Sequence, residues 1–377
     1  MRGEEGPGCL DRMWEGLVRS LREVRVHQGW SGVGVGWPEH AVHRLANLRA
    51  LTSLELSSCT LNSEQCTRLL TDCTALESVH IERCSSLTRV QVSASIAGLQ
   101  RLTLRECHAL TSVSLDRSLR LRKLYVNGCT NAAIECVATG LTHLGLAASA
   151  IPRDVLAALL DACADTLVVL NLDTVASLDD HVLNNTLGRA VDLDTLSVTR
   201  CPTVTAWSLA TGDAASTRLR TIRASYTSLW SAVLPMQAIR MTSVGQLCEL
   251  VIEHPNAAPN PSMLRAALAA AVDTLEVLRV SRVTGLAGSA LAECQRLRVL
   301  RVANTDVYVE DVMALITTAP ALQEVDVAGC PQVTREELAT ALQRRPATLP
   351  PLRSLVEPDG LMVHCVQAQR LISTHGR

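Results

Sequence analysis

Two kinds of residue in this chain of 377 could bind or react: grouped basic side chains, and cysteines at recurrent spacings. Arg101, Arg105 and Lys123 fall close to Tyr125 and His143, and Arg223, Arg279 and Arg301 follow further along. Guanidinium forks suit carboxylates and phosphates, so these groups point to recognition of an acidic or phosphorylated segment. Cys59, Cys66 and Cys73 recur every seven residues, whereas zinc sites want close pairs such as C-x-x-C, so no metal is expected. The run GWSGVGVGWP from Gly29 matches neither phosphate-loop spacing and no lysine follows it. His364 and Cys365 are adjacent, and neighbours on a strand face opposite ways, so they make no nucleophile and base. No catalysis and no cofactor are expected. Asn184-Asn185-Thr186 matches a glycosylation acceptor, which matters only in a secreted chain.

What positions these residues is a repeat. Thirteen copies of apolar-x-x-apolar-x-apolar-x-x start at residues 21, 51, 76, 99, 121, 141, 167, 193, 219, 247, 275, 297 and 322. Six of them end in cysteine, as in LTSLELSSC from Leu51, LESVHIERC from Leu76, LQRLTLREC from Leu99, LRKLYVNGC from Leu121, LDTLSVTRC from Leu193 and LQEVDVAGC from Leu322. Each L-x-x-L-x-L segment predicts a short strand, leucines inward and intervening residues outward. Return segments such as DVLAALLDACADTL from Asp154, SMLRAALAAAVDTL from Ser262 and EDVMALITTAPAL from Glu310 carry helical spacing. Asp154, Ser262 and Asp306 are placed to cap them. Cys73, Cys163 and Cys294 fall near the ends of return segments, where a small apolar side chain packs beneath the next strand.

These copies resemble the leucine-rich repeat, in the cysteine-containing subtype common behind F-box domains. The resemblance covers roughly residues 47 to 345 and implies an α/β solenoid of about 13 repeats, a horseshoe with a parallel inner sheet and helices on the convex face. In that subtype Cys59, Cys84, Cys107, Cys129, Cys201 and Cys330 take the place of an asparagine ladder joining neighbouring backbones. The repeats from Leu141, Leu167, Leu219 and Leu247 depart from the pattern, with Ser149, Val175, Thr227 and Pro255 at the ladder position. The prolines between Ser225 and Pro261 point to a loop there. The expected organisation is an amino-terminal cap with a degenerate first repeat over 1–46, repeats over 47–345 and a carboxy-terminal cap over 346–377. Trp14, Leu17, Val18 and Leu21 have helical spacing, Gly29 to Gly36 reads as a loop, and Leu352 to Leu371 reads as a closing half-repeat.

Composition narrows the function. Apolar residues make up 47% and charged residues 19%, and a formal charge of -2 gives no overall field toward nucleic acid or anionic lipid. Thirty-four of the 35 basic residues are Arg and Phe is absent, a bias that a G+C-rich coding sequence explains. No apolar stretch is long enough to span a bilayer, and the start MRGEEGPGC lacks the form of a secretory signal, so a cytoplasmic protein with reduced cysteines is expected. The central outward column offers one aromatic, Tyr125, which disfavours single-stranded nucleic acid, and no small-molecule substrate is expected. Trp207 and Trp230 fall outside that column. Arg279 and Arg301 stand on adjacent strands, so either Glu253, Glu276, Glu324 and Asp326 pair with them or they await an acidic partner. The reading is a non-catalytic protein-interaction scaffold. A ubiquitin-ligase substrate subunit is an alternative, weakened because residues 1 to 50 show no F-box pattern; a structural subunit of a large ciliary or ribosomal assembly is another.

Overall fold

The structure is a computed structural model that describes residues 21–27, 39–135, 140–205, 218–227, 246–256, 261–360 and 362–363. Trp14, Leu17 and Val18, the Gly29 to Gly36 loop, Trp207, Trp230, His364-Cys365 and most of the Ser225 to Pro261 segment lie outside these residues. Two compact units divide the chain, Met1–Val169 and Leu170–Arg377.

In the first unit β1 (Glu23–His27), β2 (Ser53–Ser57), β3 (Ser78–Glu82), β5 (Arg101–Arg105), β7 (Lys123–Asn127) and β9 (His143–Gly145) pair in parallel, in that order. Their register aligns the repeat starts: Glu55, His80, Thr103, Tyr125 and Gly145 form one outward column while the leucines between them are buried. In the second unit β10 (Val169–Asn171), which straddles the division, is followed by β11 (Thr195–Ser197), β12 (Thr221–Arg223), β13 (Glu249–Ile252), β14 (Val277–Val280), β15 (Val299–Arg301), β16 (Glu324–Asp326) and β17 (Ser354–Val356). The antiparallel β18 (Met362–Val363) closes this edge, within the segment expected as a half-repeat. These strands match the thirteen expected positions, with β17 as a partial fourteenth.

The form of the return segment follows repeat length in most, though not all, of the described repeats. Repeats of 25 residues or more, where described, return through helices: α1 (Glu39–Ala46), α2 (Ser63–Asp72), α3 (Arg153–Cys163), α4 (Asp180–Arg189), α5 (Pro261–Ala270), α6 (Val309–Thr318) and α7 (Arg335–Arg344). The repeats starting at Leu76, Leu99 and Leu121, of 23, 22 and 20 residues, return instead through strands β4 (Arg89–Val92), β6 (Ser112–Leu115) and β8 (Ala133–Glu135), paired in a second parallel sheet. This corrects the expectation of helices throughout the outer side. A ten-residue helix advances about 15 Å at ~1.5 Å per residue, and four extended residues advance about 13 Å, so these three shortened repeats span the same distance by extending. Alternation supports it: Val90, Val92, Val113, Leu115 and Ile134 are buried while the residues between them are not. The 22-residue repeat from Leu275 instead returns without a strand, through a 3-10 turn at Ala290–Glu293.

Two features recur at each strand end. The ladder cysteines are buried, and Cys59, Cys107, Cys129, Cys201 and Cys330 donate their thiols to the carbonyls of Val26, Ile81, Leu104, Leu172 and Val302 on the preceding strand, at 3.8, 3.9, 3.8, 3.1 and 2.9 Å. Where Ser149, Thr227 and Thr305 replace cysteine, the hydroxyl donates within its own turn, to Leu146, Ala224 and Val302 at 2.7, 2.9 and 2.7 Å. One residue before the ladder the backbone turns left-handed. Ser58, Arg83, Glu106, Ala148, Thr174, Arg200, Tyr226, His254, Arg282 and Asn304 have φ between 49° and 60°, and Gly128 and Gly329 fill the same place at 70° and 67°. Only glycine takes this conformation without penalty, so the other ten residues each cost about 1–2 kcal/mol.

The expected caps differ. α3 and α6 begin after Pro152 and Tyr308, neither of which supplies a side-chain cap, and Asp154 lies inside the first turn. Ser262 is likewise inside α5, and Asp306 accepts instead from the backbone N–H groups of Gly285 and Leu286 at 2.9 and 3.0 Å. The capping that does occur comes from Asn62, Asp179 and Thr334, which accept from Gln65, Val182 and Glu337. Cys73, Cys163 and Cys294 are buried at the ends of return segments as expected.

Candidate functional site

In the first unit the sheet register sets Arg101, Lys123 and His143 side by side on β5, β7 and β9. Their register neighbours on the preceding strands are Ser78 and Ser53, and acids further along these strands are engaged with other groups. Glu55 meets Arg25 at 3.3 Å, Glu82 meets His80 at 3.4 Å, and Glu106 takes a 2.7 Å bond from the Arg83 Nε. Arg101 and Lys123 have no ion pair among the described residues. Parallel strands lie ~4.8 Å apart, so two facing cations repel by roughly 1 kcal/mol in water and by ~3–4 at a surface dielectric near 20. His143 answers this strain by staying neutral: burial first, and the Lys123 ammonium second, hold its imidazole below the ordinary range. Its Nδ1 lies 2.9 Å from the Thr142 hydroxyl. Arg105 stands apart from this row, at the far end of β5, where Glu82 is its register neighbour and the Glu106 carboxylate lies close.

Tyr125 is the neighbour of Gly145 in the central column. A Cβ on Gly145 would fall 2.4 Å from Tyr125 Cδ1, so the ring lies directly over the glycine backbone. Its half-buried setting raises the phenol's pKa. Beside it Asn127 Oδ1 accepts from the Ala147 N–H at 3.0 Å, holding the strand ends together. The result is a rigid aromatic flanked by an uncompensated basic row. Gly145 is buried beneath the ring.

In the second unit Ser197, Arg223, Val251, Arg279, Arg301 and Asp326 share one column. Local pairing, weighed from the sequence for Arg279 and Arg301, holds for Arg301 and not for Arg279, and Arg223 is paired as well. Arg223 forms a bidentate contact with Glu249 at 3.1 and 3.2 Å, and Arg301 reaches Glu324 at 3.0 Å. Both pairs follow one diagonal, from the arginine to the residue two places back on the next strand. For Arg279 that position is Val299. Arg279 accordingly has no ion pair among the described residues, and its Nε is buried without a hydrogen-bond partner. Glu276 pairs with Arg298 instead, at 3.6 Å.

A second group was not anticipated. Arg200, Tyr226, His254 and Arg282 occupy the left-handed position on successive strand ends. The Arg200 guanidinium sits 5.1 Å from the Tyr226 ring centre, and the His254 ring stacks on Tyr226 at 5.2 Å and 23°. Spacing along the inner strands hides this group, because a left-handed residue leaves the strand alternation.

Thiol chemistry is absent from the site. Burial pushes Cys66 and Cys294 up to about 12 and Cys73 and Cys201 up to about 11, so these thiols stay protonated. No group of three or more metal-binding side chains occurs among the described residues. No helix there is long and apolar enough to cross a membrane.

A column-forming parallel sheet, with buried leucines at each strand and a ladder residue at each turn, defines a class: the chain is a leucine-rich repeat protein with an α/β solenoid fold. More particularly, the family model described as "At1g61320/AtMIF1, LRR domain" matches residues 39–139. Among solved structures, a leucine-rich repeat protein of Leptospira interrogans is 13% identical and matches over 89% of this chain and 91% of its own, with a TM-score of 0.56. An internalin of Listeria monocytogenes is 14% identical over 80% of this chain and 68% of its own, with a TM-score of 0.38. The structure of TLR13 with ssRNA13 matches 83% of this chain and 41% of that one at 16% identity and a TM-score of 0.45. At such identities the likeness is one of fold. A comparison with curated protein sequences finds no match.

Proposed function

We propose that this protein is a non-catalytic recognition scaffold whose protein partner docks on the outward face of β5, β7 and β9, presenting an acidic or phosphorylated segment to Arg101 and Lys123. One observation carries the reading: two adjacent cations have no ion pair among the described residues, next to a tyrosine seated on a glycine. A partner carboxylate between the two cations replaces repulsion with attraction, and Tyr125 supplies the rigid apolar contact that anchors an interface. Of the residues singled out from the sequence, Arg101, Lys123, Tyr125 and His143 belong to this face. Arg223 and Arg301 are spent on local acids, Arg105 is flanked by carboxylates, and Arg279 stands alone in the second unit. The scaffold comprises the repeats of 47–345 with caps at 1–46 and 346–377, and it works in the cytoplasm without cofactor, nucleic acid, membrane or small-molecule substrate.

The test is capture from native lysate by the full chain, quantified by mass spectrometry, against Arg101→Glu with Lys123→Glu. Loss of the captured partners by about tenfold or more, with Arg223→Gln and Arg301→Gln unchanged, is the expected outcome. Undiminished capture by the charge-reversed protein overturns the assignment.

A further inference from the structure

The unexplained feature of the second unit is the row of left-handed residues. Glycine is the least costly residue there, and Gly329 shows that this unit uses it. Four successive strand ends nonetheless carry Arg200, Tyr226, His254 and Arg282 at φ of 58°, 55°, 49° and 55°. The turn itself recurs in other repeats, where it carries Ala148, Thr174 or Asn304, so what sets these four apart is large side chains that remain outside the core. Tyr226 keeps 38% of its surface exposed. Arg200 and Arg282 are exposed and have no ion pair among the described residues, and Glu253, which precedes His254, pairs with neither.

Register fixes what the row offers. Arg200 comes from the strand before Tyr226 and His254 from the strand after, so the phenol ring is contacted from both neighbouring strands. Both contacts compete with a nucleobase for the ring, which disfavours the usual mode of single-strand binding. A guanidinium laid flat on an aromatic keeps its in-plane N–H donors free at the edge. The outer edge is therefore a row of donors: guanidinium, phenol, imidazole and guanidinium again. From Arg200 to Arg282 is three strand spacings, about 14 Å. In an extended peptide, side chains at i and i+4 share a face and stand about 13 Å apart.

We infer that this row is a docking site for an extended peptide segment bearing two anionic side chains four residues apart, each taken by one of the end arginines. The shared chemistry is a carboxylate or a phosphorylated side chain at both positions; a polar residue midway meets the Tyr226 hydroxyl. The site rests on the scaffold reading only for the class of its ligand, since it uses no residue of the Arg101 row.

The experiment is fluorescence anisotropy of the full chain with labelled nine-residue Gly/Ser/Thr peptides carrying two acidic residues at separations of two, four and six. One series uses aspartate and one phosphoserine, and a neutral peptide and a nine-base oligothymidylate serve as controls. Separation four should bind at least fivefold tighter than separation two or six in one or both series, and the series that binds identifies the anion. Arg200→Gln and Arg282→Gln should each weaken it by about tenfold, while Arg101→Glu with Lys123→Glu leaves it unchanged. Arg282→Lys, which keeps the charge and loses the fork, should fall between. Equal affinity at all three spacings, tighter binding of the oligothymidylate, or binding that persists in the Arg200→Gln/Arg282→Gln protein would each overturn the inference. Loss of peptide binding in the Arg101→Glu with Lys123→Glu protein would place the peptide on the Arg101 row and overturn this site, whereas failure of the scaffold reading is scored separately, by the capture from lysate.

Discussion

Replacing Gly145 with alanine tests whether Tyr125 is seated as described. The new Cβ would lie 2.4 Å from Tyr125 Cδ1, whereas carbon atoms settle at about 3.5–4.0 Å. The ring must recede by more than an ångström. An aromatic side chain that is half covered hides on the order of 100 Å², and giving up that cover costs about 2 kcal/mol at ~25 cal/mol per Å². Alanine recovers about 0.5–1 kcal/mol relative to glycine within a strand, so the net loss should be about 1–2 kcal/mol. In a Tyr125→Ala background nothing stands in the way of the methyl group, and the same substitution should stabilise by about 0.5–1 kcal/mol. The coupling between the two sites is then about 2 kcal/mol, well above the few tenths seen for independent sites. Urea unfolding followed by circular dichroism measures it; repeat arrays unfold in parts, so all four proteins must be compared over the same transition. Additive costs, with coupling below about 0.5 kcal/mol, would refute the placement of the ring and with it the anchor of the proposed interface.

Other consequences follow from the same geometry. Val299→Glu places an acid on the diagonal that Glu249 and Glu324 occupy for Arg223 and Arg301, and should gain about 0.5–1 kcal/mol that vanishes in an Arg279→Gln background, measured by the same unfolding cycle. Ala148→Gly should stabilise by about 0.5–1 kcal/mol, the left-handed penalty less the added freedom of the unfolded chain. Gly329→Ala should destabilise by ~2 kcal/mol or more, because its Cβ would fall 2.4 Å from Asn304 Oδ1 at a φ of 67°. In alkylation at pH 8 followed by peptide mass spectrometry, Cys248, the one described cysteine that is not buried, should react ahead of Cys66, Cys73, Cys201 and Cys294, which should resist until the chain unfolds. His143 resists protonation in the folded state, so below the unfolded value of about 6.5 the unfolded chain binds the proton more readily. Stability should therefore fall as pH drops from 6.5 toward 5, and His143→Asn should flatten that part of the unfolding profile.

The strands and their register were legible because leucine spacing fixes both period and phase: Glu55, His80, Thr103 and Tyr125 could be aligned by counting, and the sheet aligns them so. Ladder cysteines were legible for the same reason. Return segments were harder, since Arg89–Val92 and Ser112–Leu115 are too short to show a clear period, and repeat length separates them from the helical returns without settling the 22-residue repeat from Leu275. Helix caps failed at Asp154 and Asp306 because a short acidic side chain near a helix start can sit a residue or two from the cap or bond elsewhere, as Asp306 does with Gly285 and Leu286. Tyr226 and His254 were invisible as a stack because they leave the strand pattern at the left-handed residue.

A basic column in such a sheet is not in itself a binding site. Arg223 and Arg301 are as basic as Arg101, yet each spends its charge on a glutamate one strand over and two residues back. The pairing diagonal follows from strand geometry: a side chain as long as arginine reaches past its direct neighbour, so the acid that quenches it stands at an offset. Arg279 escapes because the offset position holds Val299, and Arg101 and Lys123 escape because the same offset holds Leu121 and Leu141. What a partner can use is thus the residue of charge left after diagonal and same-edge pairing, and the net charge of the whole chain says nothing about where that residue lies.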